Sequence, residues 1–403
     1  MRILMVSDVS FPRVNGVSTS ISTFRRSLAE LGHETTLIAP TYPTGVVDDP
    51  SVFRIKSRGV PLDPEDRFMS RGAVLDLAPM LAERHFDLIH VHTPFVAHYA
   101  GVELGRRLAL PVVETYHTFF EEYLHHYVPF LPRALTRFAA RRFSVSQCEA
   151  VDALVVPSAQ MLAALHGYGI RARAEVLPTG IDLARFKGGD GAAFRREHNI
   201  APGRPTLVHI SRVAHEKNID FILEALVIVR QTVPEVLLVI AGEGPALEHL
   251  KKLSSRLGLD GHVLYVGYLD REKGLLDCYC AGDAFVFASR TETQGLVLLE
   301  ALALGVPVVS TAVMGTVDVL KGVHGALVAP DEVRGFATAV TKVLTEPAYR
   351  EMLRAAAPGD AAAWSATAMA ERLVSLYGSV IADARRSSLS QITDAAANSA
   401  HAD

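Results

Sequence analysis

Cysteine is scarce in this chain: three of 403 residues, Cys148, Cys278 and Cys280. An odd number without zinc-type spacing argues against a disulfide framework and for a reduced, cytoplasmic chain. Cys278 and Cys280 read as packing residues. Long hydrophobic runs are missing too. None approaches the roughly 20 residues that span a bilayer, although 49% of the residues are hydrophobic, enough for sizeable cores. There is no excess charge of one sign. Lys and Arg number 40 against 44 Asp and Glu, a net charge of −4, so no global basic field points to nucleic acid. The start, Met1-Arg-Ile-Leu-Met-Val6-Ser-Asp8, lacks the length and the small-residue cleavage site of a signal peptide. G-x-G-x-x-G is absent, and with it the dinucleotide fingerprint.

What is present is an alternation of short apolar strands and amphipathic helices, long enough for two α/β domains. Arg2 to Val6 is the first strand. A loop holding Asn15-Gly16 follows, then a helix marked by Ile21, Phe24, Leu28 and Leu31 and stopped by Gly32. Asn15-Gly16 is a turn signal. After the first strand of a βαβ unit it is also where backbone N–H groups approach a phosphate. Asp87-Leu-Ile-His90-Val-His92 is a strand whose two histidines share a face. A metal pair is the sharp reading, weakened because no carboxylate or third ligand is evident nearby. Pro111 to Tyr116 is another strand, with His117 at its carboxyl end, the side on which open α/β sheets bind ligands. A structural histidine is the competing reading.

One stretch is locally basic. Arg133, Arg137 and Arg141 form an i, i+4 stripe, with Arg142 beside them and Leu131, Leu135, Phe138 and Phe143 supplying apolar surface. Such a helix can lie on an anionic membrane, each cation adding about 1 kcal/mol near the surface. The plain alternative is a surface helix with solvated arginines.

Beyond Val176 to Asp182, the Gly-rich segment Lys187-Gly-Gly-Asp-Gly191 reads as an interdomain linker. A second α/β pattern then begins. Arg212 and Lys217 flank the turn after the strand Thr206 to Ser211. Two cations there can neutralise a diphosphate without a metal, Arg through a planar fork and Lys as a point charge. Structural ion pairing competes with that reading. The strand Ala284 to Ala288 leads through Ser289-Arg-Thr-Glu292-Thr-Gln-Gly295 into a helix with Glu300 on it. A strand, a small-residue turn and a helix N-terminus suit anions and sugar hydroxyls. Glu292 could accept from ligand hydroxyls, and Glu300 could hold a diol. A solvated Glu pair on an ordinary βα turn is the bland alternative. After Arg385 the Ser/Ala/Asp/Asn-rich tail reads as disordered.

Taken in order, Pro12-Arg-Val-Asn15-Gly16-Val-Ser, His117, Leu177-Pro-Thr-Gly-Ile-Asp182, Ser211-Arg212 with Glu216-Lys217, Gly242-Glu-Gly-Pro245, Gly267-Tyr268, Glu292 to Glu300, and Gly305-Val-Pro-Val-Val make the chain resemble the retaining glycosyltransferases of family 4, up to about residue 380. Val-Asn-Gly-Val-Ser-Thr-Ser, Glu114 to Tyr123 and Thr291-Glu-Thr-Gln-Gly look most like the diacylglycerol glucosyltransferase branch. The resemblance implies the GT-B architecture, an α/β fold of two Rossmann-like domains with parallel sheets facing a cleft. It places an acceptor domain at 1–182, a nucleotide-sugar domain at 183–364, a helix at 365–385 crossing back to the first domain, and the tail at 386–403. It implies that Arg212 and Lys217 hold a diphosphate, with Gly16 closing over it. Glu300 would bind the ribose. Glu292, Thr293, Gln294, Gly295 and Leu296 would hold the donor sugar and phosphate. Tyr268 would contact the base, and His117 would lie near the transferred sugar.

The implied reaction is transfer of a hexose, glucose from UDP-glucose, to a lipid such as diacylglycerol with retention, the departing phosphate taking the acceptor proton. No cofactor and no catalytic metal are expected. Arg133, Arg137, Arg141 and Arg142 become candidates for contact with an anionic membrane, and the chain is expected to be peripheral on its cytoplasmic face. Relatives use GDP-mannose, UDP-galactose or UDP-glucuronate, and phosphatidylinositol or soluble acceptors, so donor and acceptor stay open. A nucleotide-sugar epimerase and a non-catalytic binding protein are the rival classes.

Overall fold

The computed structural model describes residues 1–43, 49–60, 63–117 and 133–399. They form two compact units. The first gathers the described residues up to His117, then Arg137–Gly180 and the chain from Thr367. The second gathers Arg133–Thr136 and Ile181–Ala366.

The first unit is built on a seven-stranded parallel sheet: β1 (Arg2–Val6), β2 (Glu34–Pro40), β3 (Val52–Ile55), β6 (Leu88–Val91), β7 (Val112–Thr115), β8 (Ala153–Val156) and β9 (Ala174–Val176). Their order is β3-β2-β1-β6-β7-β8-β9. A small antiparallel pair, β4 (Ser57–Val60) and β5 (Asp63–Met69), stands apart. Strands β1, β6 and β8 are near-continuous apolar runs because helices cover both faces, and β7 (Val-Val-Glu-Thr) is equally buried despite its two polar residues. On one face Ile3 and Met5 pack with Ile21, Phe24 and Leu28 of the helix Gly16–Glu30. On the other, Leu4, Val6, Ile89 and Val91 pack with Ala97, Ala100 and Leu104 of the helix Val96–Leu108. Gly101 and Gly105 let that helix lie on the sheet, since a Cβ at either would come within 2.5 Å of a Val91 or Val112 methyl.

The last helix, Ala366–Ser399, belongs to this first unit. Met369, Leu373, Leu376, Tyr377 and Val380 join the core of Ile3 and Met5, each such burial contributing about 1.5–3 kcal/mol. The sequence reading ended order at Arg385; the helix instead runs on to Ser399. Ala, Leu and Gln are good helix formers, so a polar, Ala-rich segment can extend an anchored helix that it would not nucleate by itself. Residues 400–403 lie outside the described residues.

The second unit holds a six-stranded parallel sheet: β10 (Thr206–Ile210), β11 (Leu237–Ala241), β12 (Val263–Gly267), β13 (Ala284–Phe287), β14 (Val308–Thr311) and β15 (Ala326–Ala329). Their order is β12-β11-β10-β13-β14-β15. The order reverses between β10 and β13. That reversal opens a crevice at the carboxyl ends of these two strands, where doubly wound sheets bind ligands.

The Gly-rich segment 187–191 is not the linker. The units change over at Gly180 and Ile181, and Ile181 is fixed inside the second unit by paired hydrogen bonds, its N–H donating to Trp364 O (2.7 Å) and its own oxygen accepting from Ala366 N (3.0 Å). Gly189 and Gly191 press on the helix Gly274–Ala281. A Cβ on Gly191 would sit 2.2 Å from Cys280 O, and one on Gly189 2.6 Å from Cys280 Sγ. These glycines serve close approach rather than freedom. Among the described residues, no helix is long and apolar enough to cross a membrane.

Candidate active site

In the second unit the crevice is lined by two loops. The first, Ser211 to Asn218, leaves β10 through a single turn at His215–Lys217. The second, Ala288 to Gly295, leaves β13. Asn218 stands in the left-handed region (φ 55°), and its Nδ2 donates to Ala288 O at 3.0 Å. The hydroxyls of Ser289 and Thr291 donate to Glu216 O at 3.2 and 3.3 Å. The loops are therefore stitched together by neutral hydrogen bonds as well as by the charged pair of Lys217 and Glu292.

The charged side chains meet in pairs. Lys217 Nζ donates to Glu292 Oε1, both side chains mostly buried. Arg212 Nη1 lies 3.8 Å from Glu216 Oε1. On the helix Leu296–Ala303, Glu300 is buried; its Oε1 accepts from Arg271 Nη2 (2.8 Å) and its Oε2 from the Tyr279 hydroxyl (2.9 Å). Burial, then the Glu300 charge, pushes the Tyr279 hydroxyl well above its usual range, so it stays a donor. Tyr268 is more than half exposed beside this group. Partial burial pushes its hydroxyl up, and the nearby Arg271 charge works against that.

Glycines set the backbone around these side chains. Gly295 (φ 91°) precedes the helix from Leu296. Thr293 and Gln294 run against Gly315, where a Cβ would lie 2.0 Å from Thr293 O, and Gly315 N donates to Glu292 O at 2.9 Å. Gly242 (φ 128°) lies under the Arg212 loop, with room for no side chain: a Cβ would meet Ser211 O at 1.9 Å. Val213 N donates to Glu243 O at 2.8 Å from the same turn. Beneath the loop His209 is fully buried. Its Nδ1 pairs with Val286 O (2.9 Å) and its Nε2 with Ser211 Oγ (2.8 Å), and burial lowers its pKa to about 4.

In the first unit, Gly16 opens the helix Gly16–Glu30. Asn15 caps it, Oδ1 accepting from Ser18 N at 2.9 Å, while Asn15 N donates to Ser18 Oγ at 3.0 Å. His117 lies just past β7, and burial lowers its pKa to about 4. Its ring stacks on His92 at 5.8 Å, and His92 contacts His90 at 4.0 Å. The His90–His92 metal reading does not hold. His90 is spent on Tyr377 Oη (2.6 Å) and Thr115 Oγ1 (2.7 Å), and no group of three metal-ligating side chains occurs among the described residues. His90 instead ties the sheet to the last helix. At the carboxyl end of β1, buried Asp8 accepts from Thr93 Oγ1 (2.9 Å) and Ala97 N (3.0 Å), and burial raises its pKa to about 6.

The structure thus places Arg212, Lys217, Glu292, Thr293, Gln294, Gly295, Leu296, Glu300 and Tyr268 in the second unit, with Lys217 paired to Glu292 and Glu300 to Arg271, and leaves Gly16 and His117 in the first. The sequence reading missed Arg271, Tyr279, Asp8 and His209. Only Arg271 had a local signal, a cation three positions after Tyr268. Of the basic stretch, residues 129–132 and the side chains of Arg133 and Leu135 lie outside the described residues. Arg137, Arg141 and Arg142 are exposed on the helix Arg133–Cys148, where Arg141 stands over the Tyr168 ring at 5.1 Å.

Two sequence profiles match. One described as Glycosyltransferase Family 4 covers residues 14–185, and one described as Glycosyl transferases group 1 covers residues 190–360. Alpha-monoglucosyldiacylglycerol synthase of Streptococcus pneumoniae is 33% identical over 320 residues, 77% of this chain and 71% of that protein. D-inositol 3-phosphate glycosyltransferase of Kribbella flavida is 32% identical over 296 residues, 71% of this chain and 69% of that one. In fold, the chain is similar to sucrose-phosphate synthase of Thermosynechococcus elongatus, with a TM-score of 0.75 at 22% identity, covering 95% of this chain and 99% of that one.

Proposed function

The chain belongs to glycosyltransferase family 4, with the GT-B fold, and on that footing we propose that it transfers glucose from UDP-glucose to diacylglycerol at a membrane surface, with retention at the anomeric carbon. The observation that carries the acceptor is the 33% identity over 320 residues to an alpha-monoglucosyldiacylglycerol synthase. The exposed Arg137, Arg141 and Arg142, beside Phe138 at 63% exposure, suit an anionic interface at the cytoplasmic face.

The chemistry follows from charge. As the bond from the anomeric carbon to the diphosphate breaks, negative charge grows on the phosphate. Arg212, Lys217 and the helix N-terminus at Gly295 are the groups that stabilise it. Lys217 exchanges part of its interaction with Glu292 for the phosphate, which frees a Glu292 oxygen for the donor sugar's hydroxyls. Two cations take the role that a metal ion would otherwise fill, so turnover is independent of metal. Glu300 accepts from the ribose and Tyr268 covers the base. His117 is neutral at pH 7, so its part in turnover is that of a hydrogen-bonding group rather than a base. The acceptor hydroxyl attacks from the face the diphosphate leaves, and its proton passes to the departing phosphate oxygen.

A second reading keeps the site and changes the acceptor to a soluble polyol phosphate. The likeness to the Kribbella flavida inositol-phosphate enzyme favours it. A donor-by-acceptor screen separates the two. Purified protein receives labelled UDP-glucose, UDP-galactose, UDP-glucuronate or GDP-mannose, with diacylglycerol in anionic vesicles or with inositol 3-phosphate, in EDTA. Label from UDP-glucose in the organic phase supports the lipid reading. Label only in water-soluble product moves the acceptor away from lipid, and a requirement for added metal overturns the cationic mechanism.

A further inference from the structure

The turn after β12 carries a side chain that the reaction above leaves unused. Arg271 sits in a turn pinned by Asp270, whose carboxylate accepts from the backbone N–H groups of Glu272 (3.1 Å), Lys273 (2.8 Å) and Gly274 (3.0 Å). The pinned turn aims Arg271 at the helix of Glu300, 29 residues along the chain, where Nη2 meets Oε1 at 2.8 Å. The other oxygen of Glu300 is held by Tyr279, whose ring is fully buried. The carboxylate is thus clamped from two sides in a site where only 5% of Glu300 is exposed.

A carboxylate has about four acceptor directions. Two are taken by the clamp, and the clamp fixes where the remaining ones point. A cis-diol needs two acceptor directions at a set spacing, and a carboxylate that can rotate offers them only part of the time. We propose that Arg271 is a positioning residue that orients Glu300 toward both hydroxyls of a ribose, so that the site selects a ribonucleoside diphosphate over its 2′-deoxy counterpart. The inference rests on the nucleotide-sugar reading of this crevice. A purely structural ion pair is the alternative. It would stabilise the fold or the pocket without setting the preference between the two sugars, because the energy of a shape-preserving ion pair is common to both ligands.

The test measures binding of UDP, of 2′-deoxy-UDP and of GDP by calorimetry to the full chain, to Arg271→Met and to Arg271→Lys, with thermal melts of each. The wild-type protein binds 2′-deoxy-UDP about tenfold more weakly than UDP, as expected for loss of one hydrogen bond to a charged group. In Arg271→Met that ratio falls to about twofold or less, because the loss falls mainly on UDP. Arg271→Lys, which keeps the charge but replaces the planar fork with a single ammonium, recovers part of the ratio. Should the methionine variant not fold, the lysine variant alone decides, with a ratio below that of the wild type. An unchanged ratio in a folded variant, both ligands weakened alike, overturns the inference and leaves the nucleotide reading intact. A wild-type protein that binds UDP and 2′-deoxy-UDP equally also overturns it. Failure of the wild type to bind UDP or GDP removes the nucleotide reading and this inference with it.

Discussion

Lys217 and Glu292 are 75 residues apart in the chain and share one hydrogen-bonded ion pair across the crevice between β10 and β13. The ammonium is shielded enough to hold its partner, and 20% of the side chain remains open to solvent. An ammonium so placed can pass from a carboxylate to a phosphate by a small movement. Lys217→Ala is expected to lower kcat by about 100-fold or more, the scale of removing one electrostatic stabiliser of a transition state. Its melting temperature should change little. Turnover within a few-fold of wild type in a folded variant would end the diphosphate assignment.

His117 sets an expectation for pH. Burial lowers its pKa to about 4 from 6.5. The unfolded imidazole therefore binds a proton first as pH falls, so stability falls as pH drops from 6.5 to about 4 and the penalty remains below that. Above that window it is neutral. His117→Asn should reduce turnover, yet leave the shape of the kcat/KM profile between pH 5.5 and 8.5 unchanged. An inflection near pH 6.5 that disappears in the variant would make His117 an acid–base group after all.

Asp8 works in the opposite sense. Burial raises its pKa from 3.8 to about 6. Between those values the folded state holds a proton that the unfolded state has lost, so stability falls as pH rises through this range, by about 3 kcal/mol in all. Above pH 6 the penalty stays. Asp8→Asn keeps an acceptor for Thr93 and Ala97 N and carries no charge. Its stability relative to wild type should grow between pH 4 and 6 and level off above, as denaturant titrations at several pH values would show. A difference that stays flat with pH would place the ionised carboxylate in a better-compensated setting.

Gly242→Ala is expected to damage fold and activity together. The added Cβ would fall 1.9 Å from Ser211 O, at a φ of 128° that side chains rarely adopt. The cost should be about 1–3 kcal/mol from the backbone conformation alone, and the clash delivers strain to the backbone that carries Arg212. Denaturant melts and nucleotide binding measured on one preparation test both parts.

Replacing Arg137 and Arg142 with Gln removes two exposed cations from the helix Arg133–Cys148. Arg141 is best kept, because it packs over Tyr168. Binding to vesicles rich in phosphatidylglycerol should weaken by about 1 kcal/mol per cation, while UDP binding stays unchanged. Sedimentation with vesicles reads the first and calorimetry the second; equal vesicle binding would refute a membrane role for this helix.

The elements themselves were legible because their signals are local. Short, β-branched and aromatic apolar runs such as Ala284 to Ala288 fit buried strands between helices, and Gly295 announces the turn that starts the helix of Glu300. The loops after β10 and β13 were legible for the same reason: each carries its charges a few residues past a strand. Tertiary structure alone decided which charges meet. Arg271 reaches Glu300, and His90 reaches Tyr377 across 287 residues, because strand order and helix docking place them side by side. The segment 187–191 shows the same limit. A run of glycines is written identically for a free linker and for backbone pressed onto Cys280, and only the packing of the helix Gly274–Ala281 tells them apart. Local pattern sets what a segment wants to be. Long-range pairing depends on each unit closing around its own core, and no window of sequence contains that.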